Sequence, residues 1–186
     1  IPEVITSANI PVVDTDYVDV FSIHQIKNLH DAWSFMIETI GTSIDVDYLI
    51  KLNSIVAKGE ALYVGCLRDS TAYVSETYEI EPISAKELNE EVLRLLSGDK
   101  NSSLYLHKIL EFYIFLIVRQ PFYDGNKRTA FIVLNKLLLE NSIGMIIIQD
   151  FQIKPYNELL NEHYKIRSDA TLNNFIKFLK DECLVY

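Results

Sequence analysis

Residues 120–128 read Gln-Pro-Phe-Tyr-Asp-Gly-Asn-Lys-Arg and separate two strongly apolar runs, 104–118 and 129–139. The residue types in this stretch suit a bound phosphate. Gly125 permits a tight turn and a close approach of ligand to backbone. The amides of Gly125, Asn126 and Lys127 fall at the start of the second run. If that run is a helix, its free N–H groups and dipole attract an anion. Arg128 adds a planar fork for phosphate oxygens, and Asn126 adds an amide donor. Asp124 is an oxygen ligand suited to a phosphate-bound Mg²⁺. In outline the stretch is a nucleoside-triphosphate site, without the GxxxxGK run of a Walker loop. Read generically, the same residues also make an ordinary helix start. Asp124 would then be a cap, Lys127 and Arg128 a solvated pair, and Pro121 and Phe122 turn and core.

The elements that would hold these residues are mostly helical. Apolar spacing through Ile23, Ile26, Leu29, Trp33, Met36, Ile37 and Ile40 predicts a helix over 20–40. Further helices are predicted over 45–57, 85–96, 102–119, 125–140, 155–164 and 172–183. Ser84 and Glu87 have capping-box spacing before the third of these, and residues 168–171 form a turn and cap before the last. Residues 61–83 differ, being rich in Tyr, Val, Thr and Ile, and predict two short strands or a hairpin-like flap. A small extended piece is possible at 145–148. The expected architecture is mainly α, a helical bundle with a small β flap. Residues 1–19 are expected to be an extended segment and 20–186 one domain.

Composition narrows the function classes. The chain has 186 residues, 49% of them hydrophobic, which is enough for a packed core. A net charge of −9 argues against general binding to nucleic acid or an anionic membrane. It leaves room for ATP, which needs only a local cationic pocket. Two cysteines and four scattered histidines give neither a disulfide framework nor a zinc pattern, and they suit a reducing, cytoplasmic setting. No apolar run is long enough to span a bilayer without charges.

The stretch 120–128 resembles the Fic (Fido) family signature His-x-Phe-x-Asp/Glu-Gly/Ala-Asn-Gly/Lys-Arg. Eight of nine positions, Pro121 through Arg128, are compatible with it. Gly65 to Arg68, ahead of the Tyr/Val/Thr-rich segment, is similar to the family's Gly-x-x-Arg approach to its β-hairpin flap. The resemblance implies a Fic-type bundle that binds ATP with Mg²⁺ and transfers AMP to a Ser, Thr or Tyr hydroxyl of a target protein. It implies Asp124 as the Mg²⁺ ligand and Gly125, Asn126 and Lys127 as phosphate holders. Arg128 would neutralise phosphate charge, and Phe122 would anchor the loop. The target would lie along the flap, between Asp69 and Thr77, by strand addition. An antitoxin or inhibitory partner is also what the resemblance implies.

The signature's first letter departs. Gln120 stands where the family has its catalytic His. A neutral imidazole can take a proton from an attacking hydroxyl near pH 7; a carboxamide oxygen is too weakly basic. Loss of a positioned base costs about 10²–10⁴ in rate. Gln120 could still orient a hydroxyl by hydrogen bonding. The expectation is therefore a nucleotide site that outlasts its transferase activity. The alternatives are an inactive nucleotide- or protein-binding module and a phosphate-transferring, Doc-like kinase. Ser34 and Glu38 match part of the family's inhibitory Ser/Thr-x-x-x-Glu-Gly/Asn helix. Without Gly or Asn after Glu38, this reads as an exposed Glu on a structural helix.

Overall fold

A computed structural model describes residues 20–75, 78–100, 102 and 104–186. The expected extended segment at 1–19 lies outside the described residues. Among the described residues, seven α-helices carry the fold: α1 (Val20–Glu38), α2 (Val46–Val56), α3 (Ala85–Leu96), α4 (Tyr105–Arg119), α5 (Asn126–Glu140), α6 (Asp150–Ile166) and α7 (Asp169–Phe178). The mainly α reading and the bundle both hold.

α4 and α5 are the centre. Ile109, Leu110, Phe112, Ile114, Leu116 and Ile117 on α4 are nearly or fully excluded from solvent, as are Ile132, Val133, Leu134 and Leu138 on α5. Each such side chain contributes about 1.5–3 kcal/mol on burial. A helix apolar on nearly every side is stable only when neighbours surround it. α3 and α7 pack on α4, and α1 and α2 pack on α5. The chain between α4 and α5 is the loop 120–125, so the core itself fixes both ends of that loop.

Local signals act where they were expected. Ser84 and Glu87 form the reciprocal capping box of α3. Asp45 caps α2 through the Tyr48 N–H, and Ser168 caps α7 through Thr171. Glu38 is exposed on α1, as expected of an ordinary structural helix and not of an inhibitory one.

Two expectations need correction. α6 begins at Asp150, not at Pro155, which lies inside the helix. The reciprocal Gln149–Gln152 box starts it early, and Gln152, Tyr156, Leu160 and Tyr164 form a buried stripe at four-residue spacing that outweighs the missing proline N–H. The last helix starts at Asp169 and gives way to a π-helical turn, Leu179–Cys183. The two short strands expected within 61–83 are present as β1 (Ala72–Ser75) and β2 (Tyr78–Ile80), an antiparallel pair whose register shifts between Tyr73 and Ser75. The extended piece near 145 is β3 (Met145–Ile146). Its antiparallel partner, β4 (Leu184–Val185), had no sequence signal because two residues show no periodicity.

Among the described residues, no helix is long and apolar enough to cross a membrane.

Candidate functional site

α4 ends at Gln120, which adopts a left-handed conformation with φ 44° and ψ 65°. A non-glycine residue in this region is strained by roughly 1–2 kcal/mol, so neighbours must hold it. Its N–H bonds Leu116 O at 3.1 Å. Its carbonyl accepts from Arg68 Nε at 2.6 Å. Its carboxamide nitrogen donates to the Tyr164 hydroxyl at 3.1 Å.

Arg68 ties the root of the flap to the end of α4. It is only 4% exposed. Its guanidinium donates to the carbonyls of Gln120, Ser70, Glu81 and Arg119. Its own N–H bonds Pro121 O at 2.9 Å, and Leu67 bridges Phe122. Burial pulls its pKa down, with Arg119 adding to the effect.

The loop then closes on itself. Phe122 is 2% exposed and fixed in the core. Asn126 turns back, accepting from Phe122 N and donating to Phe122 O, both at 2.8 Å. Its side chain thus braces the loop, while its backbone N–H, like that of Lys127, lies in the first turn of α5 without an intrahelical acceptor. Gly125 has φ 73°, and a Cβ there would sit 3.1 Å from Val56 Cγ1 and 3.2 Å from Ala57 Cβ. Asn53 of α2 fastens this region. Its Nδ2 donates to Asp124 O at 2.8 Å and Thr129 Oγ1 at 3.3 Å, and its Oδ1 accepts from Gly65 N. Gly65 has no alternative, since its φ is 61° and a Cβ would lie 2.5 Å from Ser54 Cβ.

The charged groups divide into free and committed. The Asp124 side chain is 48% exposed. One of its oxygens meets Gly125 N at 2.5 Å and Arg128 at 3.5 Å; the other has no protein partner among the described residues. Lys127 is exposed and makes no ion pair among the described residues. Arg128 is committed: its two terminal nitrogens donate to the two oxygens of Glu60 at 2.7 and 2.6 Å. The Glu60 side chain is 1% exposed. It also accepts from Gln25 and Asn28 of α1, both at 3.2 Å. The Arg128 bonds, helped by Gln25 and Asn28, hold the Glu60 carboxyl below the usual range.

The flap meets the loop through Tyr123, whose hydroxyl donates to Asp69 Oδ1 at 2.6 Å. That bond raises the Tyr123 pKa. The exposed rings of Tyr63 and Tyr123 lie 5.3 Å apart beside the loop. A shallow groove of about 450 Å³ runs past Asp69, between Leu67 and Ile83, to Ser84 and Glu87. A second cavity, of about 400 Å³ near Gly41, Tyr105 and Glu140, lies at the far end of the bundle and includes no loop residue.

These groups fit a magnesium–nucleotide in part. Among the described residues, no three His, Cys, Asp or Glu side chains converge to cage a metal. A Mg²⁺ here would be held by Asp124, phosphate oxygens and water, the mode this ion ordinarily takes beside phosphates. The α5 amides and Lys127 fit the anion. Arg128 fits it only on release from Glu60.

The fold brings Gln120, Asp124, Gly125, Asn126, Lys127 and Arg128 to one end of the bundle, beside the segment 67–69 that leads into the hairpin. Sequence reasoning missed the supports: Glu60, Asn53 and Tyr164, and the clamp made by Arg68. Asn53 offered a usable signal, a polar residue on the apolar face of α2. Glu60 follows Lys58 and Gly59 in an aperiodic turn and offered none.

The architecture is a helical bundle whose central helices α4 and α5 are joined by the loop 120–125, with the β1–β2 hairpin following Arg68. The Fic/DOC family model matches residues 43–138, just over half the chain, from α2 to within two residues of the end of α5, and the chain belongs to this family. Solved structures agree in fold. A Fic domain-containing signaling protein from Bacteroides thetaiotaomicron superposes with a TM-score of 0.71 at 18% identity, covering 89% of this chain and 69% of that one. Fic-1 from C. elegans gives 0.67 at 15% identity, covering 91% and 51%. This chain thus spans about half the length of that solved worm chain.

Proposed function

We propose that the loop binds ATP with Mg²⁺ and that the protein is a slow nucleotidyl transferase acting on a protein hydroxyl. The observation that carries this reading is the set beside Gln120: the open oxygen of the Asp124 carboxylate, the first amides of α5 and the Lys127 ammonium. Such a set is suited to a polyphosphate and its metal. Bound ATP supplies the activated phosphoryl bond. Asp124 would hold the metal, the Asn126 and Lys127 amides would hold phosphate oxygens, and Lys127 would neutralise charge. The exposed rings of Tyr63 and Tyr123 offer a stacking surface for the base. A target segment would run along the β1–β2 hairpin and the groove at Asp69, bringing its hydroxyl toward Gln120. Gln120 can accept a hydrogen bond from that hydroxyl and orient it, but cannot remove its proton.

A second reading, a nucleotide- or partner-binding module without turnover, draws support from Glu60, which occupies both arms of the Arg128 fork. Incubation with α- and γ-labelled ATP in cell lysate separates the readings. α-Label on protein supports AMP transfer, and γ-label alone means phosphate transfer. Neither label with intact ATP binding supports the module. Gln120→His is expected to raise α-label transfer by about 10²–10⁴. No gain in a folded Gln120→His protein that still binds ATP contradicts the transferase reading.

A further inference from the structure

In a continuing helix the Ile117 carbonyl would receive the N–H of residue 121. Here residue 121 is proline, which has no N–H, and the left-handed turn at Gln120 leads the chain away. The Ile117 carbonyl is therefore open, and the Tyr164 hydroxyl fills the vacancy, donating to it at 2.6 Å. A carbonyl oxygen only accepts, so the single phenolic proton is spent on it. Toward Gln120 the Tyr164 oxygen can act only as an acceptor. The Gln120 atom 3.1 Å away must then be the carboxamide nitrogen. The carboxamide oxygen is left turned the other way. It has no protein donor among the described residues and is not sealed from solvent. The base of the side chain is equally constrained, with the Gln120 N–H on Leu116 O and its carbonyl on Arg68.

We propose that Tyr164 is a positioning residue for Gln120, fixing the carboxamide nitrogen inward on Tyr164 and its oxygen away from Tyr164, open to solvent. Two consequences follow from that orientation. The face that Gln120 presents is an uncharged acceptor, which disfavours phosphate oxygens and keeps an anion on the α5 side. It also selects a group that arrives with a proton to donate, a hydroxyl, over one that can only accept. This selectivity for a hydroxyl rests on the nucleotidyl-transfer reading; the orientation does not.

The test is nuclear magnetic resonance on the full chain without nucleotide, so it stands apart from the ATP reading. The Gln120 side-chain amide signals are identified by their loss in Gln120→Glu. Expected in the native protein are contacts from these protons to the Tyr164 ring. One proton should be displaced from the position of solvent-exposed glutamines and exchange slowly with its twin. Tyr164→Phe should abolish the displacement and the slow exchange, while signals remote from α4 and α6 stay in place. If Tyr164→Phe does not fold, the native contact decides alone. Amide protons at free-glutamine positions, with no contact to the Tyr164 ring, overturn the proposal. So does a displacement that survives in a folded Tyr164→Phe protein.

Discussion

Replacing Glu60 by Gln tests whether the cation of the loop is held in reserve. The native carboxylate meets both arms of Arg128, at 2.7 and 2.6 Å, with its side chain 1% exposed. Glutamine keeps the shape but offers one neutral acceptor where there were two charged ones. Hydrogen bonds to charged groups contribute about 1.5–3 kcal/mol each, so the variant should lose roughly 2–3 kcal/mol of stability. The guanidinium is then free to swing to a phosphate oxygen, and a regained charge-assisted bond is of the same order. At 1.4 kcal/mol per decade, affinity for ATP–Mg²⁺ should rise by about tenfold to a hundredfold. Isothermal titration at low salt measures the affinity, and urea unfolding measures the stability. Adding Arg128→Ala to Glu60→Gln should cancel the gain. An unchanged or weaker affinity in a folded Glu60→Gln protein refutes the reasoning and makes the pair a fastener of the loop only.

Other expectations follow from the same contacts. Arg68→Met removes the donors to four carbonyls at a buried site and should cost roughly 3–5 kcal/mol in urea unfolding; a loss under about 1 kcal/mol contradicts the clamp. The lowered pKa of Glu60 gives stability that is complete above about pH 4.3 and lost as pH falls through the folded value. Glu60→Gln should therefore flatten the acid limb of the unfolding midpoint, and an unaltered limb counts against the pairing. At the other extreme, Tyr113 and Tyr156 share a 2.6 Å bond in the core, and burial pushes Tyr156 up to about 12. Folded values above the unfolded one mean stability that is full below about pH 10 and declines as pH rises toward the folded values. Tyr156→Phe should lessen that decline in alkaline unfolding curves, and an identical decline rules out this origin.

The central helices were legible because α4 and α5 announce themselves by length and apolarity, and the loop because Pro121, Asp124 and Gly125 interrupt them. The caps at Ser84 and Ser168 act locally, within four residues, so spacing alone revealed them. What holds the loop was not legible, because its partners come from far along the chain. Glu60 lies 68 residues from Arg128, Arg68 lies 52 from Gln120, and Tyr164 lies 44 beyond it. A single sequence carries no sign of such pairings. The start of α6 was misplaced for a different reason. Pro155 reads as a helix start, and only the tertiary burial of Gln152 and Tyr156 shows that the helix is already under way.

Chemical-shift mapping with ATP–Mg²⁺ tests the central claim, that the loop is a phosphate cradle, most directly. The account predicts saturable shifts concentrated at the backbone amides of Gly125, Asn126 and Lys127, weakened in Lys127→Ala and losing their Mg²⁺ dependence in Asp124→Ala. Shifts confined to the far cavity near Gly41 and Glu140, or none at saturating nucleotide, contradict it.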